Sequence, residues 1–231
     1  MALERMMATV AKAVLLSWSS GKDSAWTLHL LRQRGDLEVR GLLTTITREY
    51  GRVSMHAVRE SLLDAQAAAL GLPVRKVYLP SRCSNEECDR LVASALQEAR
   101  AEGIDAIAFG DLYLEDVRRY REQLLAPMEI APLFPLWGMP TRELADTMVR
   151  AGLRAYVTAV DLRVLDRSFA GRSFDRSFLE ALPQGIDPCG ENGEFHTFAY
   201  AGPVFPMPLS VAPFEVVERE GFAFCDLRES S

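Results

Sequence analysis

No stretch of this 231-residue chain approaches the about 18–20 uninterrupted apolar residues that a membrane span needs. Near the amino terminus Glu4, Arg5 and Lys12 break up what would otherwise read as a signal-peptide core, so a cytoplasmic protein is expected. An excess of positive charge is also missing. The formal net charge of -6 gives no global attraction to phosphate backbones or anionic lipid and disfavours nucleic acid as a partner. The four cysteines, at 83, 88, 189 and 225, contain no CxxC pair, and the spacing of Cys83 and Cys88 suits neither a structural zinc site nor a redox pair. Reduced thiols packed as small hydrophobes are expected. Internal repeats and low-complexity tracts are absent as well. What remains is a globular composition, 48% hydrophobic and 25% charged, in a chain long enough for one large domain or two small ones.

The first half alternates two hydrophobic periods. Short apolar runs at Ala13–Ser17, Leu37–Thr45, Val74–Leu79 and Asp105–Phe109 read as strands. Between them, helical spacing runs over Ser24–Arg34, over His56–Leu70 (stopped by Gly71 and Pro73), from a Ser84/Glu87 capping box to Gly103, and over Glu115–Leu125. Strands separated by helices imply βαβ units, hence an α/β fold with a doubly wound parallel sheet. Ligands of such sheets lie beyond the carboxyl ends of the strands. That rule gathers the loops Ser17–Ser24, Thr44–Thr47 and Gly110–Leu112 around one crevice. Pro127, Pro132, Pro135 and Pro140 then suggest a hinge, dividing residues 1–131 from a smaller α/β unit at 132–231. There, helices at Arg142–Ala151 and Phe174–Leu182 flank a strand at Arg154–Val160, and a hairpin turns at Gly221.

Two loops carry the chemistry. Ser19-Ser20-Gly21-Lys22-Asp23-Ser24 joins a strand to a helix, so unpaired helix N–H groups face an incoming anion. Gly21 permits close approach, Ser19 and Ser24 offer hydroxyls, Lys22 a full charge, and Asp23 a carboxylate for Mg²⁺. Asp23 follows the lysine where a Walker A loop carries Ser or Thr, so that loop type is excluded. The second loop runs from Asp187 through Pro188, Cys189, Gly190, Glu191, Asn192, Gly193, Glu194, Phe195 and His196 to Thr197. Its glycines let Glu191, Glu194 and His196 converge to bind Mg²⁺ or ammonium or to move protons. Alone, His196 would read as a structural histidine; the cluster does not read as an ordinary polar turn. Cys189 has no partner cysteine or adjacent base to make it a nucleophile. Trp137 reads as a core aromatic.

Residues 19–24 resemble the PP-loop, Ser-Gly-Gly-x-Asp-Ser, of the N-type ATP pyrophosphatases, with Ser20 where that motif has glycine. The second loop is similar to the Gly-Glu-x-Gly-Glu-Phe/Tyr-x-Thr signature of the diphthine–ammonia ligase branch of that group. The likeness extends through Phe109-Gly110-Asp111, Arg118, Glu122, Leu136-Trp137-Gly138 and Gly202-Pro203, and so covers most of the chain. The resemblance implies an ATP-binding domain closed by a substrate domain. It implies that a carboxylate, on a small molecule or a modified protein side chain, is adenylated with release of pyrophosphate and then amidated by ammonia. Ser17, Ser19, Ser20, Gly21, Lys22, Asp23, Ser24, Thr44, Gly110, Asp111 and Arg118 are the expected ATP contacts, with Asp23 the expected Mg²⁺ ligand. Lys22, Glu191, Glu194 and His196 are the expected catalytic set. Two other readings stand beside it: a PP-loop enzyme that adenylates an RNA base, and a non-catalytic adenine-nucleotide sensor.

Overall fold

The computed structural model describes residues 11–230. The reading of Glu4 and Arg5 therefore lies outside the described residues. Ten strands and six helices follow in chain order among them: β1 (Lys12–Ser17), α1 (Lys22–Arg32), β2 (Leu37–Thr47), β3 (Arg52–Val53), α2 (Glu60–Leu70), β4 (Val74–Leu79), α3 (Asn85–Ala101), β5 (Ala106–Ala108), α4 (Glu115–Leu125), β6 (Ala131–Leu133), α5 (Thr141–Arg150), β7 (Arg154–Asp161), α6 (Arg176–Ala181), β8 (Phe195–Ala201), β9 (Val211–Arg219) and β10 (Phe222–Glu229).

The first sheet has β1 at its centre, parallel to β2 on one side and to β5 on the other. Strand β4 extends it in parallel beyond β2, and β6 in parallel beyond β5. The two-residue β3 pairs antiparallel with the end of β2. Alternation along β1 shows why both faces are covered. Val14 and Leu16 enter one apolar cluster with Leu28, Leu31 and Leu63, whereas Ala13 and Leu15 enter another with Leu96, Ala99 and Leu125. A strand whose successive side chains are all buried needs a helix layer on each face. The expected doubly wound sheet is thus present, and its strand order reverses between β1 and β5. The loops after those two strands accordingly flank the crevice where ligands of such sheets bind.

The second sheet is antiparallel, in the order β8-β7-β10-β9. Strands β9 and β10 form the expected hairpin, longer than its sequence signature because the pairing runs from Val211 to Glu229. The expected boundary at residue 131 falls at the start of β6. Pro132 sits inside β6, an edge strand, where its missing N–H costs no internal ladder bond. The parallel sheet therefore runs to Leu133.

Two other expectations need correction. Helix α2 begins at Glu60 and not at His56, because residues 54–58 form a tight turn in which the Val53 N–H donates to the Val58 carbonyl. Cys83 and Cys88 are joined as a disulfide, with Cα atoms 5.8 Å apart. Ser84 caps α3, accepting from the Glu87 N–H at 3.2 Å, which makes Cys83 the residue before the cap and Cys88 the fourth helical residue. Those two positions meet in a hydrophobic staple, so the cap geometry brings the sulfurs together. No helix among the described residues is long and apolar enough to cross a membrane.

Candidate active site

Helix α1 starts at Lys22 with Gly21 as its cap, a residue that has no side chain to offer the helix N–H groups. The Lys22 N–H reaches the Thr197 hydroxyl of β8 at 3.1 Å. The loop is braced internally: Ser24 donates to the Gly21 carbonyl at 2.9 Å, and the Ser19 and Ser24 hydroxyls lie 3.3 Å apart. Ser20 takes the left-handed conformation, φ 68°, that its glycine counterpart in the motif adopts without strain. Its carbonyl is held by the Ala199 N–H at 2.8 Å and the Gln66 side-chain amide at 3.1 Å. Its hydroxyl is buried without a partner.

Gln66, fully buried on α2, ties this corner together. It accepts from the Trp18 indole at 2.9 Å and donates to the Ala199 carbonyl at 2.6 Å. The β8 strand of the second sheet is thereby fixed onto the loop that opens α1.

Lys22 is buried with its ammonium on the Asp23 carboxylate (2.8 Å) and the Cys189 carbonyl, close to the faces of Phe174 and Phe195. Burial opposes its charge most strongly of any single cause, but Asp23, Cys189 and Glu191 together outweigh it and hold the lysine pKa above its ordinary value. For Asp23 burial dominates over the lysine, and its pKa is raised. One oxygen, Oδ1, is buried and unpartnered.

The Asp187–Thr197 loop closes over this end of α1. Gly190 has φ 69°, and a Cβ there would sit 2.8 Å from the Phe195 carbonyl, so only glycine fits the turn. Glu194 accepts from the Asp187 N–H (3.1 Å), the Asn192 N–H (3.0 Å) and the Asn192 amide (2.9 Å). Both of its oxygens are engaged within the loop, and they hold the turn in shape. Glu191 is different. It crosses to the first sheet's side, accepting from the Leu112 N–H at 2.7 Å. Burial pushes its pKa up to about 7, against the pull of that hydrogen bond. His196 is driven down to about 4 by burial and then by the Lys22 charge. Its ring lies 4.4 Å from that of His56, whose pKa is lowered by burial, by His196 and by Lys22. Both imidazoles are therefore neutral near pH 7.

These groups share a cavity of about 380 Å³ lined by Ser17, Ser19, Gly21, Lys22, Asp23, Ser24, Gly110, Asp111, Glu191 and His196 among others. A Cβ at Gly110 would come within 3.2 Å of the Asp23 backbone and crowd the start of α1. Through a common wall at Ser17, Ser19, His56 and Phe109 the cavity adjoins a more apolar one of about 470 Å³, bounded by Leu43, Thr44, Val77, Leu79, Leu96 and Ile107. Thr44 lines the latter, its hydroxyl given to the Trp18 carbonyl at 2.7 Å. A larger cavity, about 720 Å³, lies at the opposite, amino ends of the strands, near Ala13, Gly41 and Gly103. Ligands of doubly wound sheets do not bind at that end.

Two expected residues stand elsewhere. Arg118 leaves the cavity wall to stack on Phe134 and Trp137, paired with Glu122 at 2.8 Å. Arg121, a turn later on α4, lines the cavity and leans on Asp111. Ser20 is inside the loop, with its backbone rather than its hydroxyl engaged. His56, Gln66 and Arg121 belong to no motif in the sequence; Arg121 stands there only as one of the arginines at 118, 119 and 121.

The parallel sheet with its strand–loop–helix turn at residues 17–24, met by the carboxylate-bearing loop that precedes β8 of the second sheet, makes an α/β protein in which both loops line one cavity. Two family models match nearly all of it: the diphthamide synthase N-terminal domain over residues 11–127 and the diphthamide synthase C-terminal domain over 140–231. The chain belongs to the diphthamide synthase family. Among relatives, it is 28% identical over 193 residues to a protein named diphthine–ammonia ligase in Homo sapiens, covering 76% of this chain and 69% of the relative. A Danio rerio protein of the same name is 26% identical over 230 residues, 89% of each chain.

Proposed function

We propose that the cleft catalyses ATP-dependent formation of a C–N bond, adenylating a carboxylate and amidating it with ammonia. One observation carries this reading. The open N-terminus of α1 with Lys22, and a carboxylate poised at about 7 on Glu191, face one cavity that adjoins an apolar recess.

The apolar recess suits the adenine ring, and the α1 terminus, Lys22, Ser19 and Ser24 suit the phosphates. A carboxylate oxygen attacks the α-phosphorus, the bond to the bridging oxygen breaks, and pyrophosphate leaves with that electron pair. Lys22 and the helix N–H groups stabilise the departing charge. The ammonia lone pair then attacks the acyl carbon, the acyl–phosphate bond breaks onto AMP, and Glu191 takes the proton that nitrogen sheds. Glu194, both of whose oxygens accept bonds within the loop, holds the turn that carries Glu191 and His196. Mg²⁺ carried in with the nucleotide would neutralise phosphate charge. The unpartnered Asp23 Oδ1 fits that role, since Mg²⁺ is commonly held by one or two carboxylates plus substrate phosphates. Among the described residues no group of three His, Cys, Asp or Glu forms a resident metal centre.

The names of the relatives make diphthine the first carboxylate to try. With a diphthine-bearing protein, ATP, Mg²⁺ and ¹⁵N-ammonium, mass spectrometry is expected to find ¹⁵N in a new amide. Absence of label with this acceptor and with a panel of small carboxylates would overturn the reading. A sulfur-transfer version has no support: Cys189 is buried, its thiol is pushed up to about 12 chiefly by burial, and it points at the Thr141 carbonyl. Nothing favours a non-catalytic sensor either, for Glu191 is tuned as a proton acceptor.

A further inference from the structure

The residues shared by the two adjoining cavities decide what the boundary between them can hold. Among the described residues that boundary is made by Ser17, Ser19, Met55, His56, Phe109 and Arg121. Burial, His196 and Lys22 keep His56 uncharged, so Arg121 is the one charge on it. Its guanidinium is held on two sides. The guanidinium carbon lies 4.8 Å from the centre of the Phe109 ring, and Nε is 3.4 Å from the Asp111 carboxylate. Phe109 and Asp111 both line the polar cavity, and the Arg121 side chain is 30% exposed, so the charged end itself stands on the cavity wall. Neither Nη nitrogen makes a hydrogen bond among the described residues, the Nε contact to Asp111 being the one the side chain has. Lys22 differs: it is 2% exposed, and its ammonium is shared between Asp23 and the Cys189 carbonyl. Arg121 is thus the cation of this cavity that keeps a fork of two donor groups open to a ligand.

We propose that Arg121 is a further catalytic residue, gripping the α-phosphate of the nucleotide through its two Nη groups. This contact rests on the reading above, in which adenine fills the apolar recess and the outer phosphates meet the α1 terminus. The α-phosphate joins those two parts and therefore lies at the boundary between the cavities. A planar fork of N–H donors matches two oxygens of one phosphate. Stacking on Phe109 sets the plane of the fork before the ligand arrives. The charge is needed at this point because the attacking carboxylate and the α-phosphoryl group are both anions. The phosphoryl oxygens also gather charge as the bond to pyrophosphate breaks. It is needed again when ammonia displaces AMP, whose phosphate takes the electron pair of the broken acyl C–O bond.

The test asks whether the contact follows the phosphate. Calorimetry measures AMP and adenosine binding to wild type, Arg121→Met and Arg121→Lys. A single-turnover assay measures the pyrophosphate burst with ATP, Mg²⁺ and the carboxylate that wild type amidates. Arg121→Met is expected to weaken AMP binding at least tenfold and to leave adenosine within twofold, since adenosine keeps the recess and lacks the phosphate. The burst should slow about 10²-fold in the same variant. Arg121→Lys, which returns the charge without the fork, is expected to recover part of both losses. With the two diastereomers of ATP that carry one sulfur on the α-phosphate, wild type should favour one, and Arg121→Met should lose most of that preference. Unchanged AMP binding in Arg121→Met, or adenosine weakened as much as AMP, would overturn the proposal and leave the amidation reading intact. So would a rise confined to the carboxylate KM, which would put the acyl substrate on this guanidinium. Wild type that binds neither AMP nor adenosine, or that forms no amide with any carboxylate, would instead overturn the reading on which the proposal rests.

Discussion

Replacing Glu191 by glutamine separates what this carboxylate contributes to chemistry from what it costs the fold. Its pKa stands at about 7 against 4.5 for the ordinary group, because burial disfavours the charge. The folded protein therefore holds a proton that the unfolded chain has already released between pH 4.5 and 7. Across that interval stability falls as pH rises, and above 7 the whole penalty is present. At about 1.4 kcal/mol per tenfold in proton affinity the shift would amount to roughly 3 kcal/mol for a fully buried group. Glu191 is only half-buried, and solvent screening brings this to about 1–2 kcal/mol. Glutamine keeps an oxygen for the Leu112 N–H and carries no charge at any pH. The variant is thus expected to match wild type near pH 4.5 and to exceed it progressively up to pH 7, with a constant gap beyond. With a urea slope of about 2 kcal/mol/M, the midpoint difference at pH 8 is about 0.5–1 M. Amide formation should fall by about 10²–10⁴-fold in the same variant, and the wild-type rise in kcat/KM through pH 7 should vanish. A variant less stable than wild type at pH 8, or one that keeps the pH profile, would refute the reasoning.

Three further outcomes follow from single contacts. Ser20→Gly removes a left-handed non-glycine residue and an orphaned hydroxyl, and should stabilise the protein by about 1 kcal/mol in urea melts with nucleotide binding retained. Gln66→Leu strips the Trp18 indole of its acceptor and cuts two bonds to Ser20 and Ala199; a loss of about 2–4 kcal/mol is expected, with weaker nucleotide binding by calorimetry. Reducing Cys83–Cys88 releases a short loop, which the chain-entropy estimate values at up to about 2 kcal/mol. Thiol titration of the unfolded protein should count two free cysteines before reduction and four after.

Much of the cleft was readable before any coordinates because its parts are local in sequence. A strand, a Ser/Gly loop and a helix announce the open turn before α1 through hydrophobic period and glycine. The Asp187–Thr197 loop announces itself by density of carboxylates and glycines. The parts that escaped are those made by contacts between distant segments. Gln66 looks like one polar residue on a helix until β8 supplies the Ala199 carbonyl, 133 residues away. His56 fits a helical pattern, and only the long-range pull of Asp226 on Arg52 and Arg59 shows why the chain turns there instead. Arg118 and Arg121 lie on one helix with the same charge; which one reaches the cavity depends on Phe134 and Trp137 offering Arg118 a stacking surface. Glu191 and Glu194 read as equivalent in the sequence. Their difference comes from the Asn192 amide, which occupies one of them, and the Leu112 N–H across the cleft, which meets the other.

The most direct measurement is ³¹P NMR of ATP and Mg²⁺ incubated with the protein, ammonium and a diphthine-bearing protein or pooled small carboxylates, alongside Lys22→Ala. Appearance of AMP and pyrophosphate with wild type, and loss of both signals' growth in the variant, is the expected result. ADP and orthophosphate as the products, or equal AMP formation without the Lys22 ammonium, would contradict cleavage between the α- and β-phosphates at this helix terminus.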